Sequence, residues 1–174
     1  EYEDNISVEI FVEHQSGQDL NKAEKEAFYY SNMFGHMPQF LKIYTDKIYV
    51  HKDIGKDDGV WWAYVGGTKR EFHINRSACA RKDDYAYNKC SLTMLHELAH
   101  VLQGLTGLVS PSKWSKARKL DKKKYCSKYA TSNTYEDFTE SVMCWVAVRY
   151  KPNNLKKNDL KKIKEYLANR FKFF

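Results

Sequence analysis

Apolar and polar residues alternate from Ile6 to His14, with Ile6, Val8, Ile10 and Val12 set against Ser7, Glu9, Phe11 and Glu13. A period of two is that of a half-buried strand. From Asn21 to Met37 the period lengthens. Ala23, Ala27, Tyr30 and Phe34 recur at helical spacing, behind a cap at Asp19 or Asn21 and ahead of Gly35 and Pro38 as stops. Phe40–Tyr44 and Lys47–His51 are expected as strands around Thr45-Asp46. Val60–Val65 reads as a strand that ends at the Gly66-Gly67 turn, and Glu71–Asn75 as another.

Past Ser91 the helical period returns. Leu92, Leu95, Leu98, Ala99 and Leu102 share one face, and Gly104 ends it. Lys113–Lys124 reads as a basic helix or turn. Tyr135–Tyr150 is a second strong helix with Phe138, Val142, Trp145 and Val146 inward, stopped by Pro152. Asn158 or Asp159 caps a last helix with Leu160, Ile163, Leu167 and Phe171 on one side. Strands mixed with helices come first and helices alone follow, which is the order of an α+β domain. With 174 residues, the chain suits one domain, divided into an N-terminal subdomain of about residues 1–104 and a C-terminal one of about 105–174.

Charge sharpens this division. Residues 1–100 carry 12 Lys and Arg against 16 Asp and Glu, whereas residues 101–174 carry 17 against 6. A basic half either attracts anionic partners, such as an acidic protein or peptide substrate, a glycan or a membrane surface, or is a solvated lysine-rich surface that keeps the chain soluble, and the second is the more common case. No nucleic-acid motif accompanies the charge, and nucleic acid is not expected. No apolar run approaches the length of a bilayer span, so no transmembrane segment is expected. The N-terminal Glu1-Tyr2-Glu3-Asp4 has no basic n-region and no apolar h-region, so the expectation is that a signal peptide either has already been removed or was never there.

The four cysteines form no C-x-x-C. An even count fits two disulfides in an extracellular protein. Four cysteines allow three connectivities, among which sequence alone does not choose; Cys79–Cys90 with Cys126–Cys144 is the preferred one, because both close short loops. Asn5-Ile6-Ser7 and Asn75-Arg76-Ser77 read as glycosylation sequons, which points to the same compartment.

The chemistry is concentrated in His96-Glu97-Leu98-Ala99-His100. Histidines four apart lie on one helical face and can converge on one Zn²⁺. Glu97 projects beside that ion, placed as general base toward a zinc-bound water and then as acid toward the leaving amine. Random placement of the same composition gives this motif about 0.013 times in a chain of this length. A catalytic zinc takes a third protein ligand and keeps one position open. No histidine follows His100, and the downstream carboxylates are Asp121, Glu136, Asp137, Glu140, Asp159 and Glu165. Glu136, Asp137 and Glu140 sit on an otherwise apolar helix, where a carboxylate is costly unless paired or bound to metal. Glu136 as the third ligand, with Glu140 one turn on accepting an N–H from a ligand histidine, needs no further assumption.

The stretch Tyr129-Ala130-Thr131-Ser132-Asn133-Thr134-Tyr135-Glu136-Asp137-Phe138-Thr139-Glu140 resembles the Y-A-x-x-N-x-x-E-x-F-x-E pattern of one branch of the gluzincin-type zinc peptidases. That branch holds the anthrax lethal factor catalytic domain and the Pro-Pro endopeptidases. The resemblance implies a zincin-like fold: a twisted, mostly parallel N-terminal sheet with Asn21–Met37 as backing helix, an active-site helix, and a mostly helical C-terminal subdomain. It implies a secreted, monomeric metalloendopeptidase with one Zn²⁺, in which Tyr129 stabilises the oxyanion. It also implies that substrate adds as a strand along Trp61–Val65 and Gly66-Gly67, with Trp61, Trp62 and Tyr64 lining subsites. The competing expectations are a non-catalytic zincin-fold or toxin-like binding module with a structural zinc, and a basic glycan- or membrane-binding protein in which the motif is incidental.

Overall fold

The computed structural model describes residues 6–13, 20–52, 63–65, 69–79, 84–107 and 110–174. The chain divides into two compact units, residues 1–105 and residues 106–174. The first carries all the described strands and the second is helical among the described residues, which makes an α+β chain.

The first unit is built on a four-stranded mixed sheet. Strands β1 (Glu9–Val12), β2 (Lys47–His51) and β4 (Glu71–Asn75) are parallel neighbours, and the short β3 (Ala63–Val65) pairs antiparallel with β4 at one edge. The order is β1-β2-β4-β3. The alternation predicted for Ile6–His14 is seen in β1, where Ile10 and Val12 are half-buried and Glu9 and Phe11 exposed, and β2 and β4 alternate too. Ile48, Val50, Phe72 and Ile74 are fully buried on one face, while Tyr49, His51, Glu71 and His73 occupy the other and are only half-buried. Helix α1 (Leu20–Gly35) packs along β1 and buries Tyr30, Met33 and Phe34. It links two parallel strands, the connection that parallel pairing requires.

The expected strand Phe40–Tyr44 is instead a single helical turn, α2 (Gln39–Lys42). Pro38 supplies the carbonyl that accepts from the N–H groups of Leu41 and Lys42, and Thr45 N–H closes back on Lys42. A run this short has no resolvable period, and the turn buries Leu41 as well as a strand would. Asn75 is also a correction. It is buried in β4 at 4% exposure, so it does not serve as a surface glycosylation acceptor. The short helix α3 (Arg76–Cys79) follows β4, and Cys79 is bonded to Cys90 on helix α4 (Asp84–Thr106) with Cα atoms 4.9 Å apart. Helix α4 begins a turn or two before the predicted Ser91, because residues 84–90 lack the leucine stripe by which the rest is recognised.

The second unit is helical. Ser110 caps α5 (Pro111–Leu120), with proline in the first turn where its missing N–H costs nothing. The helix stops at Leu120, short of the predicted Lys124, and the turn that ends it places Lys122 and Lys123 at positive φ. Helix α6 (Thr134–Tyr150) carries Cys144, bonded to Cys126, and α7 (Lys157–Tyr166) is followed by a 3₁₀ turn at Arg170–Phe173. Trp114, Phe138, Val142 and Leu167 form the core, with Phe174 against Trp114, Phe138 and Trp145.

Within that core lies a charged cluster. Arg170 is fully buried. Its Nη1 donates to Asp121 Oδ2 at 3.2 Å and its Nε to Asp137 Oδ2 at 3.1 Å. Trp114 Nε1 donates to the same Asp137 oxygen at 2.7 Å, and Arg118 Nε lies 3.2 Å from it. Burial pushes the Asp137 carboxyl up, and Arg170, Trp114 and Arg118 draw it back down. Both disulfides join the pairs expected from the sequence, and they are compatible with an extracellular protein. No helix among the described residues is long and apolar enough to cross a membrane.

Candidate metal centre

Helix α4 presents its histidines as the heptad logic requires. Met94, Leu95, Leu98, Ala99, Val101 and Leu102 are buried, and His96 and His100 stand half-buried on the adjoining face. Glu97 is buried at 6% exposure, between the two histidines in sequence. The two Nε2 atoms are 3.1 Å apart and the rings are inclined by 79° with centroids 4.8 Å apart. A ring nitrogen lies about 1.1 Å from its ring centre, so a head-on approach at that separation sets the centroids about 5.3 Å apart. The observed 4.8 Å is shorter. The two rings therefore do not meet head-on. Two nitrogens bound to one tetrahedral zinc at 2.0–2.1 Å stand about 3.3 Å apart, close to this spacing.

Helix α6 carries the carboxylates. Asn133 is its N-cap, and the side-chain oxygen accepts from Tyr135 N–H at 2.8 Å and Glu136 N–H at 3.0 Å. The cap fixes the first turn, where the positive end of the helix favours Glu136 and Asp137. The two acids then separate. Asp137 turns into the core toward Arg170 and Trp114, whereas Glu136, half-buried, offers its carboxylate elsewhere. His96, His100 and Glu136 each contribute one donor atom, and all of these atoms lie within 4.8 Å of one another. Two imidazoles and a carboxylate are a donor set that zinc takes, and these three residues are a group that could hold a metal ion.

Among the other downstream acids, Asp121 is buried on Arg170 and on the N–H groups of Asn169 and Arg170, and Glu165 lies 3.9 Å from Lys161. Glu140 is half-buried one turn after Glu136. Tyr129 begins a 3₁₀ turn, Tyr129–Thr131, and is 53% exposed. Tyr64 sits on β3 at the sheet edge, 40% exposed and stacked on His73. Trp61, Trp62, Gly66 and Gly67 lie outside the described residues.

Compared with known proteins, the chain matches no family model, no curated protein and no solved structure.

Sequence reading missed the partnership of Asp121, Asp137 and Arg170. Its one signal was an acid among lysines, Asp121, which reads as solvated. It also missed the pair on the sheet, where His51 Nε2 and His73 Nδ1 are 2.7 Å apart.

Proposed function

We propose that the chain is a secreted zinc-dependent metalloendopeptidase of the gluzincin kind, with one Zn²⁺ held by His96, His100 and Glu136. The observation that carries this reading is the grouping of one donor atom each from His96, His100 and Glu136, all within 4.8 Å of one another. Glu97 is the second support, since a purely structural site has no use for a buried base next to a ligand.

Zinc in that position supplies Lewis acidity to a carbonyl oxygen and lowers the pKa of a water to about 7. The Glu97 carboxylate accepts a proton from the attacking water and returns it to the departing amine as the C–N bond breaks. The new C–O bond comes from water, so no side chain is acylated. The Tyr129 hydroxyl, at the exposed start of its turn, donates to the carbonyl oxygen as it gains charge. Glu140 accepts an N–H from a ligand histidine and fixes its ring. Among the described residues β3 pairs with β4 alone, which leaves its outer edge to an extended peptide.

The experiment is cleavage profiling of a peptide library with and without a chelator, alongside zinc analysis. The expected outcome is one zinc per chain and chelator-sensitive cleavage. Stoichiometric zinc with no cleavage would replace this reading by a non-catalytic zinc-binding module, and absence of zinc would end both.

A further inference from the structure

The two buried carboxylates of the unit 106–174 are matched inside it, Asp121 by Arg170 and Asp137 by Arg170 and Arg118. Lys161 on the surface of the same unit lies 3.9 Å from Glu165, whereas other surface lysines have no carboxylate beside them among the described residues. Among them is a pocket of about 270 Å³ lined by Ser115, Arg118, Lys119, Lys123 and Tyr125, with no carboxylate in its wall. Ser115, Arg118 and Lys119 are spaced i, i+3, i+4 on α5 and so share one face.

Lys123 joins them through the way the helix ends. Lys123 N–H donates to the Arg118 carbonyl and Lys122 N–H to the Lys119 carbonyl, both at 3.0 Å. This is the paired bonding of a Schellman end, whose first residue past the cap has positive φ and is usually glycine. Here Lys122 has φ 54° and Lys123 has φ 53°. Side chains with a Cβ are disfavoured in that region. A lysine thus stands in the pocket wall against the preference of its own backbone.

The remaining groups are held in place. Arg118 Nη1 donates to Thr134 Oγ1 at 3.2 Å and Nη2 to the Tyr125 hydroxyl at 2.9 Å. The Tyr125 oxygen accepts from Arg118, so its own proton is left to donate. Lys119 and Lys123 are exposed, and no hydrogen bond or ion pair engages either ammonium among the described residues. A planar carboxylate prefers the guanidinium fork, which Thr134 and Tyr125 already occupy. Ammonium groups and hydroxyls that approach from several sides suit an acceptor with three or four oxygens.

The geometry points to a binding site for a tetrahedral oxyanion, a sulfate or phosphate group, held by Lys119, Lys123 and the Tyr125 hydroxyl beside the Arg118 charge. The site stands apart from the peptidase reading and survives its failure.

Calorimetric titration of the full chain with inorganic sulfate and phosphate, against chloride at equal ionic strength, tests it. One saturable site is expected. Lys119→Ala and Lys123→Gly should each weaken it at least tenfold. Lys161→Ala, on α7, should change it less than twofold. Lys123→Gly should also hold or raise the melting temperature, because glycine relaxes the positive φ, and a fall would assign the lysine a structural role instead. Equal binding of chloride, or equal weakening by Lys161→Ala, would overturn the proposal. A sulfated tetrasaccharide that competes with sulfate and binds at least tenfold tighter supports the site and identifies its source as a polysaccharide. Competition without that gain supports it as a site for the free ion, and failure to compete overturns it.

Discussion

Two histidine pairs in this chain use one kind of side chain in opposite ways. His51 and His73 lie on the adjacent strands β2 and β4, with nitrogens 2.7 Å apart, centroids 5.0 Å apart and planes within 8°. Those numbers fit a head-on contact, since the centroid separation is the nitrogen separation plus about 1.1 Å at each ring. One proton between the two nitrogens satisfies both. Their far nitrogens face carboxylates, Glu13 at 3.5 Å from His51 and Glu71 at 3.7 Å from His73. His96 and His100, four apart on a helix, are inclined by 79° with centroids 4.8 Å apart, closer than a head-on contact would set them. The strand pair meets head-on, and the helix pair meets at an angle. Backbone decides between them: parallel strands hold the rings in one plane, with His73 sandwiched by Tyr49 and Tyr64 at 4.7 and 4.4 Å, while the helix turns one ring against the other.

The sharpest way to break the comparison is through the residue that only the helix pair has beside it. Glu97→Gln should keep one zinc per chain and lower kcat by about 10²–10⁴-fold, the range of a lost general base. Undiminished turnover would remove Glu97 from the chemistry. His100→Ala should take zinc from one per chain to none, whereas His73→Gln should leave it at one. Retention of zinc by His100→Ala, with loss in His73→Gln, would invert the assignment. Tyr129→Phe comes next. It should lower kcat by about 10²-fold with KM within about twofold, as for loss of an oxyanion donor. A change in KM alone would make Tyr129 a substrate-binding residue.

The helix pair was legible in the sequence and the strand pair was not, for a physical reason. A helix has a fixed pitch, so a spacing of four states a geometry before any fold is known. The contact of His51 with His73 depends on the register Tyr49↔His73 and His51↔Asn75, and no local pattern encodes register. The same limit applies to acids. Glu136 and Asp137 are adjacent in one helix, and their separate fates are decided by Arg170, distant in sequence. Asp121, in a lysine run, looked solvated until the last turn of the chain folded over it. The helix face at Ser91–Gly104 and the strand Glu71–Asn75 could be read directly, because burial on one side writes a period into the residues.

In the Asp121–Asp137–Arg170 cluster the compensating cation is a side chain of the protein itself, which gives the comparison a fixed point. Arg170→Ala should remove the guanidinium that two buried carboxylates share, leaving Asp137 to Arg118 and Trp114 and Asp121 to N–H groups alone, and cost about 3–5 kcal/mol, the usual loss when one member of a buried pair is removed. Denaturant unfolding reads this, and a cost under about 1 kcal/mol would mean that water reaches both acids. Stripping zinc should unsettle the first unit far less than this, because its sheet core of Ile48, Val50, Phe72 and Ile74 owes nothing to the metal.

The smallest effect belongs to the strand pair and follows from its charge. Burial lowers the His73 pKa below the ordinary histidine value, the neighbouring His51 ring lowers it further, and Glu71 draws it partly back up. The neutral form is thus favoured in the folded state, and the unfolded chain binds the extra proton more readily. The stabilisation from this group is fully present above about pH 6.5, the unfolded value. It is lost as pH falls through the lower folded value. The melting temperature should therefore drop between pH 7.5 and mild acid, with Glu13, Glu71 and Lys69 the charged groups that tune the drop. In His73→Gln the part due to this residue disappears, and the pH dependence flattens. If the variant keeps the full drop, the protonation that destabilises the sheet lies elsewhere, and the 2.7 Å contact is an ordinary hydrogen bond without consequence for stability.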